Sequence, residues 1–439
     1  MPLPALSPAT SARAAEQLAQ IREAVAENPA NREIVAAHAD FLRVSEEKLL
    51  SELRGEHPPA DAPGWLEFGA VLHYLHRTAA ADAAAIGLPE ARLRSEHVDA
   101  ADAAGILPRV GSDGTLIGFG KWETFDPGWL QAFNNYILLK LGKIRYHAFN
   151  TNPAVIALPA SGTITIAVVG DWGTGNWDDG SETPPALAVM NQVVALQPNY
   201  TIHLGDVYYS GTQAEEDANY VKFWQAATDG SFMLNSNHEM YDGANGYFDI
   251  GLAAAPFAQQ QQTSYFALMN DDVAILGLDS AYADPSTLFM RGAIPSTSPQ
   301  VAWLQSLDLG NRTVIVMTHH NPLSTTGAAA SGLWQDVVDA LGGAPNYWYW
   351  GHIHNGIVYN TPLVNGANTY GRCAGHGAIP FGNASELTNA PNVAWYAQTP
   401  DPDAPPQGLR VYNGFAVLTI DGANVTETLY DQLGNQAWP

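Results

Sequence analysis

Apolar positions in the first part of the chain recur at helical spacing. Sequence rich in Ala, Glu, Leu and Arg runs from residue 9 to 27, breaks at Asn28-Pro29-Ala30-Asn31 and resumes to 54, where Ile34, Phe41, Val44, Leu49 and Leu53 form one stripe. His57-Pro58-Pro59 ends that run, and further helices are predicted over 64–81, 89–104 and 127–141. Residues 1–150 therefore read as an α-helical domain and 151–162 as a linker. From residue 163 the pattern changes to short apolar runs alternating with helical stretches. Runs 164–169, 201–204, 232–234, 313–317 and 347–350 read as buried strands, and 185–196, 218–228, 299–309 and 333–341 as helices. Two hairpins are predicted: 264–269 with 273–279, turning at Asn270-Asp271-Asp272, and 414–420 with 424–430, turning at Asp421-Gly422. The polar tract 259–262 reads as loop. The expected fold of 163–439 is α/β, a sandwich of two mixed β-sheets flanked by helices.

Each of the five strand-like runs is followed at once by a metal-binding side chain. The blocks are Gly170-Asp171-Trp172-Gly173, Gly205-Asp206-Val207-Tyr208-Tyr209, Asn237-His238-Glu239, Met317-Thr318-His319-His320 and Gly351-His352-Ile353-His354. Taken singly, each has a bland explanation. Gly-Asp turns commonly follow strands, and a lone histidine on an apolar strand is more often a satisfied core residue than a ligand. The whole ordered set is harder to explain that way, because imidazoles at the end of very apolar strands are costly without polar partners. Pooled on one sheet edge, these side chains would hold two metal ions side by side.

The order and chemistry of the blocks resemble the calcineurin-like metallophosphoesterases and, within them, the purple acid phosphatases. The subfamily pattern has Asp-x-Gly, Asp-x-x-Tyr, Asn-His, Val-x-x-His and His-x-His blocks, and all five occur here in that order. Gly173 stands where other members of the wider family place a histidine, and Tyr209 is present to replace it. Ser236 departs from the usual glycine before Asn-His. The spacing from Val316 selects His319 as the ligand of the His319-His320 pair, whereas the spacing to Pro322 would select His320. The resemblance implies one metal at Asp171, Asp206, Tyr209 and His354, and a second at Asp206, Asn237, His319 and His352. Counting the ligand charges favours Fe(III) at the first and Zn, Mn or Fe(II) at the second. It implies hydrolysis of phosphomonoesters by a metal-activated hydroxide, with His238 as the general acid, Glu239 orienting it, and His320 as a second candidate or a hydrogen-bonding support. Asn237 and His376, in Gly375-His376-Gly377, are expected to contact substrate. A phosphodiesterase or nucleotide hydrolase on the same metals is the nearest alternative, and a scaffold protein with a vestigial site is a more distant one.

Composition sharpens this picture. The net charge is −25, and of 19 Lys and Arg residues only Lys222, Arg291, Arg312, Arg372 and Arg410 lie beyond residue 150. That balance argues against nucleic acid and anionic membranes as partners. A small anionic phosphoester bound to such a chain needs metal ions for most of its positive charge. The single cysteine, Cys373, excludes an intrachain disulfide. Residues 1–20 lack a basic segment followed by an apolar one, so a cytoplasmic location is expected, and no run has the length of a membrane span. The helical domain is expected to act in oligomerisation, as a lid or in docking.

Overall fold

The computed structural model describes residues 7–58, 64–69, 71–72, 74–75, 84, 86–87, 107–379, 381–382 and 384–439. The chain separates into two compact units. The first comprises Met1–Tyr146, Tyr241–Gly243 and Gly382–Ser385, and the second His147–Met240, Ala244–Phe381 and Glu386–Pro439.

The first unit is mainly helical, as the apolar stripe predicts. Helix Pro8–Glu27 opens on Ser7, whose hydroxyl accepts the Thr10 N–H, with Pro8 in the first turn. Leu18, Ile21 and Val25 lie on its buried face, and Gln17 donates to Asn135 of helix Trp129–Lys140 at 2.7 Å. The stretch read as one helix from 31 to 54 is two, Asn31–Ala37 and Ala39–Leu53, joined at His38. The described residues between 66 and 75 are helical, and the helix expected over 89–104 lies outside the described residues. A small hairpin pairs β1 (Arg109–Val110) with β2 (Leu116–Ile117).

The second unit is the expected pair of mixed sheets. One has eight strands and the other six. The larger contains β3 (Ala154–Ala157), β7 (Phe266–Met269), β8 (Val273–Gly277), β9 (Thr313–Thr318), β10 (Tyr347–Trp350), β11 (Gly356–Tyr359), β12 (Tyr370–Ala374) and β13 (Val393–Tyr396). Its order is β13-β11-β12-β10-β9-β8-β7-β3. The smaller, in order β16-β15-β14-β4-β5-β6, contains β4 (Ile164–Val169), β5 (Tyr200–His203), β6 (Gly230–Met233), β14 (Gly414–Asp421), β15 (Asn424–Asp431) and β16 (Gln436–Trp438). Ile166, Val168, Ile202 and Phe232 of the smaller sheet share one buried core with Phe266, Ile275, Ile315 and Met317 of the larger. Each such side chain stabilises the fold by roughly 1.5–3 kcal/mol relative to exposure. Among the described residues, no helix is long and apolar enough to cross a membrane.

Three elements of the second unit differ from expectation. Ala154–Ala157, inside the stretch read as a linker, is an edge strand parallel to β7. The helix expected over 218–228 is instead a π-helical segment, Glu216–Val221, entered through a capping box at Thr212 and Glu215. Residues 255–260 form a short 3-10 helix that reaches into the tract read as loop.

Candidate metal centre

Strands β4, β5 and β6 run parallel, as do β9 and β10, so their carboxyl ends share an edge within each sheet. Bonds across the two sheets bring the two edges together. Gly170 N–H donates to Ala374 O at 2.9 Å, His319 Nδ1 lies 2.9 Å from Leu204 O, and His352 N–H donates to Asp171 Oδ2 at 2.9 Å. Close approach at this junction requires glycine. A Cβ on Gly351 would lie 2.5 Å from Asp171 Oδ2, and Gly205 sits at φ 102° with its hypothetical Cβ 2.8 Å from that of Ser236. Three non-glycine residues here also adopt left-handed backbone: Asp171 at φ 56°, Asp206 at φ 78° and His352 at φ 65°. Each such residue costs of order 1–3 kcal/mol, a strain that clusters at functional sites.

The side chains form two adjoining groups that share Asp206. On one side His319 Nε2 lies 2.8 Å from Asn237 Oδ1, 3.2 Å from His352 Nδ1 and 3.3 Å from Asp206 Oδ1. On the other, His354 Nε2 lies 3.4 Å from Asp171 Oδ1 and 3.8 Å from Asp206 Oδ2. The Tyr208 hydroxyl donates to Asp206 Oδ2 at 2.9 Å and lies 3.1 Å from His354 Nε2. Asp171, Asp206 and His319 can thus present one ligand atom each to a common point, and so can His319, His320 and His352.

Electrostatics single out the same cluster. Burial and the neighbouring Asp206 push the Asp171 carboxyl well above the usual carboxylate range. Burial also works against ionisation of Asp206, but His319 and His238 outweigh it and hold Asp206 well below that range. Burial pushes His319 down to about 3 and His352 well below the ordinary imidazole value. Among the described residues, neither Asp171 nor Asp206 is paired with a Lys or Arg. Two buried carboxyl groups side by side with no Lys or Arg beside them are an unfavourable arrangement for the protein alone. Oxygen donors, an amide and lone-pair nitrogens around one point fit a pair of metal ions.

The structure distinguishes residues that spacing leaves open. His319 turns Nε2 into the cluster while Nδ1 faces the Leu204 carbonyl. His320 lies near the same point, but both its nitrogens are engaged, Nδ1 with Ser280 Oγ at 2.9 Å and Nε2 with Phe289 O at 2.7 Å. The spacing points to Tyr209, yet the phenol brought to Asp206 and His354 belongs to Tyr208. Tyr209 contributes its carbonyl, 2.6 Å from His238 Nδ1, and its N–H, which donates to Glu215. This carbonyl is in position to orient His238, the role expected of Glu239. The Glu239 carboxyl instead meets Ser236 Oγ, which also contacts Asp206. His238 is 6% exposed, with Nε2 3.9 Å from Asp206 Oδ2. His376 lines no open cleft. It is buried against Gly356 and Gly414, and burial pushes it down to about 3.

Sequence reasoning missed Tyr208, the bonds of Ser236, and Met290, whose carbonyl lies 3.2 Å from His352 Nε2 and whose sulfur lies 3.8 Å from Asn237 Nδ2. The adjacent tyrosines were a visible signal for the first. Nothing local in the sequence marks Met290.

No curated protein matches this chain. Among solved structures, GAP50, the anchor in the inner membrane complex of Plasmodium, is similar over 63% of this chain and 87% of its own, with 11% identity and a TM-score of 0.44. A conserved uncharacterized protein from Streptococcus pneumoniae, described as a predicted phosphoesterase, is similar over 64% of this chain and 95% of its own, with 9% identity and a TM-score of 0.26. Residues 164–356, which span all five ligand blocks, match the calcineurin-like phosphoesterase domain.

Proposed function

We propose that this protein is a dinuclear-metal phosphomonoesterase of the purple acid phosphatase type. The observation that carries the reading is the junction of two ligand groups through one buried carboxylate, Asp206, with no Lys or Arg paired to it among the described residues. Asp171, Asp206, His354 and the Tyr208 phenol would hold one metal, and Asp206, Asn237, His319 and His352 the other. The hard oxygens of the first set suit Fe(III), and the nitrogen-rich second suits Zn, Mn or Fe(II). Bound there, the metals would supply Lewis acidity and an activated water for attack on phosphorus.

The rest of the chemistry falls to the protein. Two left-handed aspartates fix the carboxylates so that they need no rearrangement during reaction. His238 is the proton donor to the leaving alkoxide. Its Nδ1–H donates to the Tyr209 carbonyl, which leaves Nε2 to carry the mobile proton on the side facing Asp206. His320 holds Phe289 and Ser280 beside the site and so acts as a support. The substrate is a small anionic phosphoester.

The reading is tested by comparing phenyl phosphate with bis(4-nitrophenyl) phosphate, on the purified protein and after metal removal. Preference for the monoester, lost on chelation and restored by metal, is expected. Preference for the diester would assign the site to a phosphodiesterase, and no metal-dependent turnover of either would leave a binding role.

A further inference from the structure

The second unit has five cationic side chains, and four are committed to ion pairs. Arg372 pairs with Glu427, Arg410 with Asp179 at 3.2 Å, Lys222 with Asp217 at 3.1 Å and Arg312 with Asp271 at 3.8 Å. The fifth, Arg291, is exposed and has no ion pair among the described residues.

Its place in the fold is tightly fixed. The buried Asp284 carboxylate accepts the N–H groups of Ser286 at 2.8 Å, Arg291 at 3.0 Å and Gly292 at 2.8 Å, which folds residues 284–292 into a strap. The strap lies directly on the metal-ligand cluster. Immediately before Arg291, Met290 places its carbonyl 3.2 Å from His352 Nε2 and its sulfur 3.8 Å from Asn237 Nδ2. Immediately after it, Gly292 sits at φ 69°, where a Cβ would lie 2.5 Å from that of His320. Both neighbours of Arg291 thus touch the site, while its own side chain points to solvent.

We infer that Arg291 recognises a second anionic group on the substrate, carried by the leaving portion of the phosphoester. This rests on the phosphatase reading. Met290 contacts His352 and Asn237, and the exposed Arg291 is the next residue along the strap, one residue outward from those ligands. A planar guanidinium pairs with a carboxylate or a second phosphate through two parallel hydrogen bonds. In a unit this acidic, one uncommitted cation at the mouth of the site is also the feature that favours approach of a doubly anionic substrate over repulsion.

The test uses the full-length, metal-loaded protein and a matched pair, phenyl phosphate and 4-carboxyphenyl phosphate. Arg291→Ala should raise KM for the carboxylated ester about tenfold more than for phenyl phosphate, the loss of one charge-assisted contact. Arg291→Lys should recover part of that difference, because it keeps the charge and loses the fork. Equal changes for both esters, or none, would overturn the proposal. Calorimetric binding of phenylphosphonate and 4-carboxyphenylphosphonate separates this inference from the phosphatase reading. If the wild type hydrolyses neither ester, the phosphatase reading fails, but a preference for the carboxylated phosphonate that Arg291→Ala abolishes still supports the role of Arg291. Absence of that preference overturns it.

Discussion

The two units neutralise their acids in different ways. In the first, acids meet the protein's own cations: Asp113 pairs with Lys48 at 2.6 Å and Glu27 with Lys143 at 3.0 Å. Burial works against the Asp113 charge, yet Lys48 outweighs it and holds the carboxyl below its ordinary range. In the second unit four of the five Lys and Arg side chains sit in ion pairs elsewhere, and the buried Asp171 and Asp206 meet imidazoles, hydroxyls and a backbone N–H but, among the described residues, no Lys or Arg. The difference teaches that the paired carboxyl groups of the second unit are left without a cation of the protein's own among the described residues. The cluster of Asp171, Asp206 and His319 is one that could hold a metal ion, and on the proposed reading metal supplies that missing charge.

Metal removal should break the comparison most visibly. A ligand at a thousandfold excess over its Kd stabilises the folded state by about 4 kcal/mol, so stripping metal should lower the melting transition of the second unit by about 10 °C. The transition of the first unit should not move. Differential scanning calorimetry of the full chain, with and without chelator, would show it, and a common shift of both would erase the distinction.

A smaller effect concerns proton delivery. His238→Ala should slow esters of poor leaving groups by about 10²–10⁴-fold and good leaving groups far less, read from kcat across a series of aryl and alkyl phosphates. Uniform losses would remove His238 from that role. The tyrosine pair sharpens the first metal group without requiring turnover. Tyr208→Phe should bleach or blue-shift the visible band of a tyrosinate–Fe(III) bond, and Tyr209→Phe should leave it in place. The reverse pattern would restore the assignment by spacing.

The smallest effect lies in the first unit. Burial, reinforced by Lys140, pushes His38 down to about 4. Its folded value lies below the unfolded one, so the unfolded chain binds the extra proton between the two. His38 therefore contributes stability above about pH 6.5 that is lost as pH falls toward 4. Urea melts of the wild type and His38→Phe over that range should diverge in slope, and parallel curves would contradict it.

Much of this was legible in the sequence, for reasons that differ by element. Strands β9 and β10 are rich in β-branched or aromatic residues and largely buried, and their ends fall within a residue of expectation. Ala154–Ala157 is short and alternately exposed, and only its partner β7 makes it a strand. The segment after Thr212 was misplaced because Tyr220 and Trp224 suggest a helix running onward, while the capping box that starts it lies earlier. The ligand blocks were readable because turns at strand ends are local. The choice between Tyr208 and Tyr209 was not, since neighbouring residues point opposite ways and one degree of backbone freedom decides between them. The partners of Glu239 and the burial of His376 depend on Ser236, Gly356 and Gly414, contacts made by the tertiary fold.

The central claim is that Asp206 joins two metal sites, and elemental analysis of the purified wild type beside Asp206→Ala tests it most directly. About two metals per chain in the wild type, iron among them, and almost none in the variant is the predicted result. Two metals retained by Asp206→Ala, or none held by the wild type after reconstitution, would contradict it.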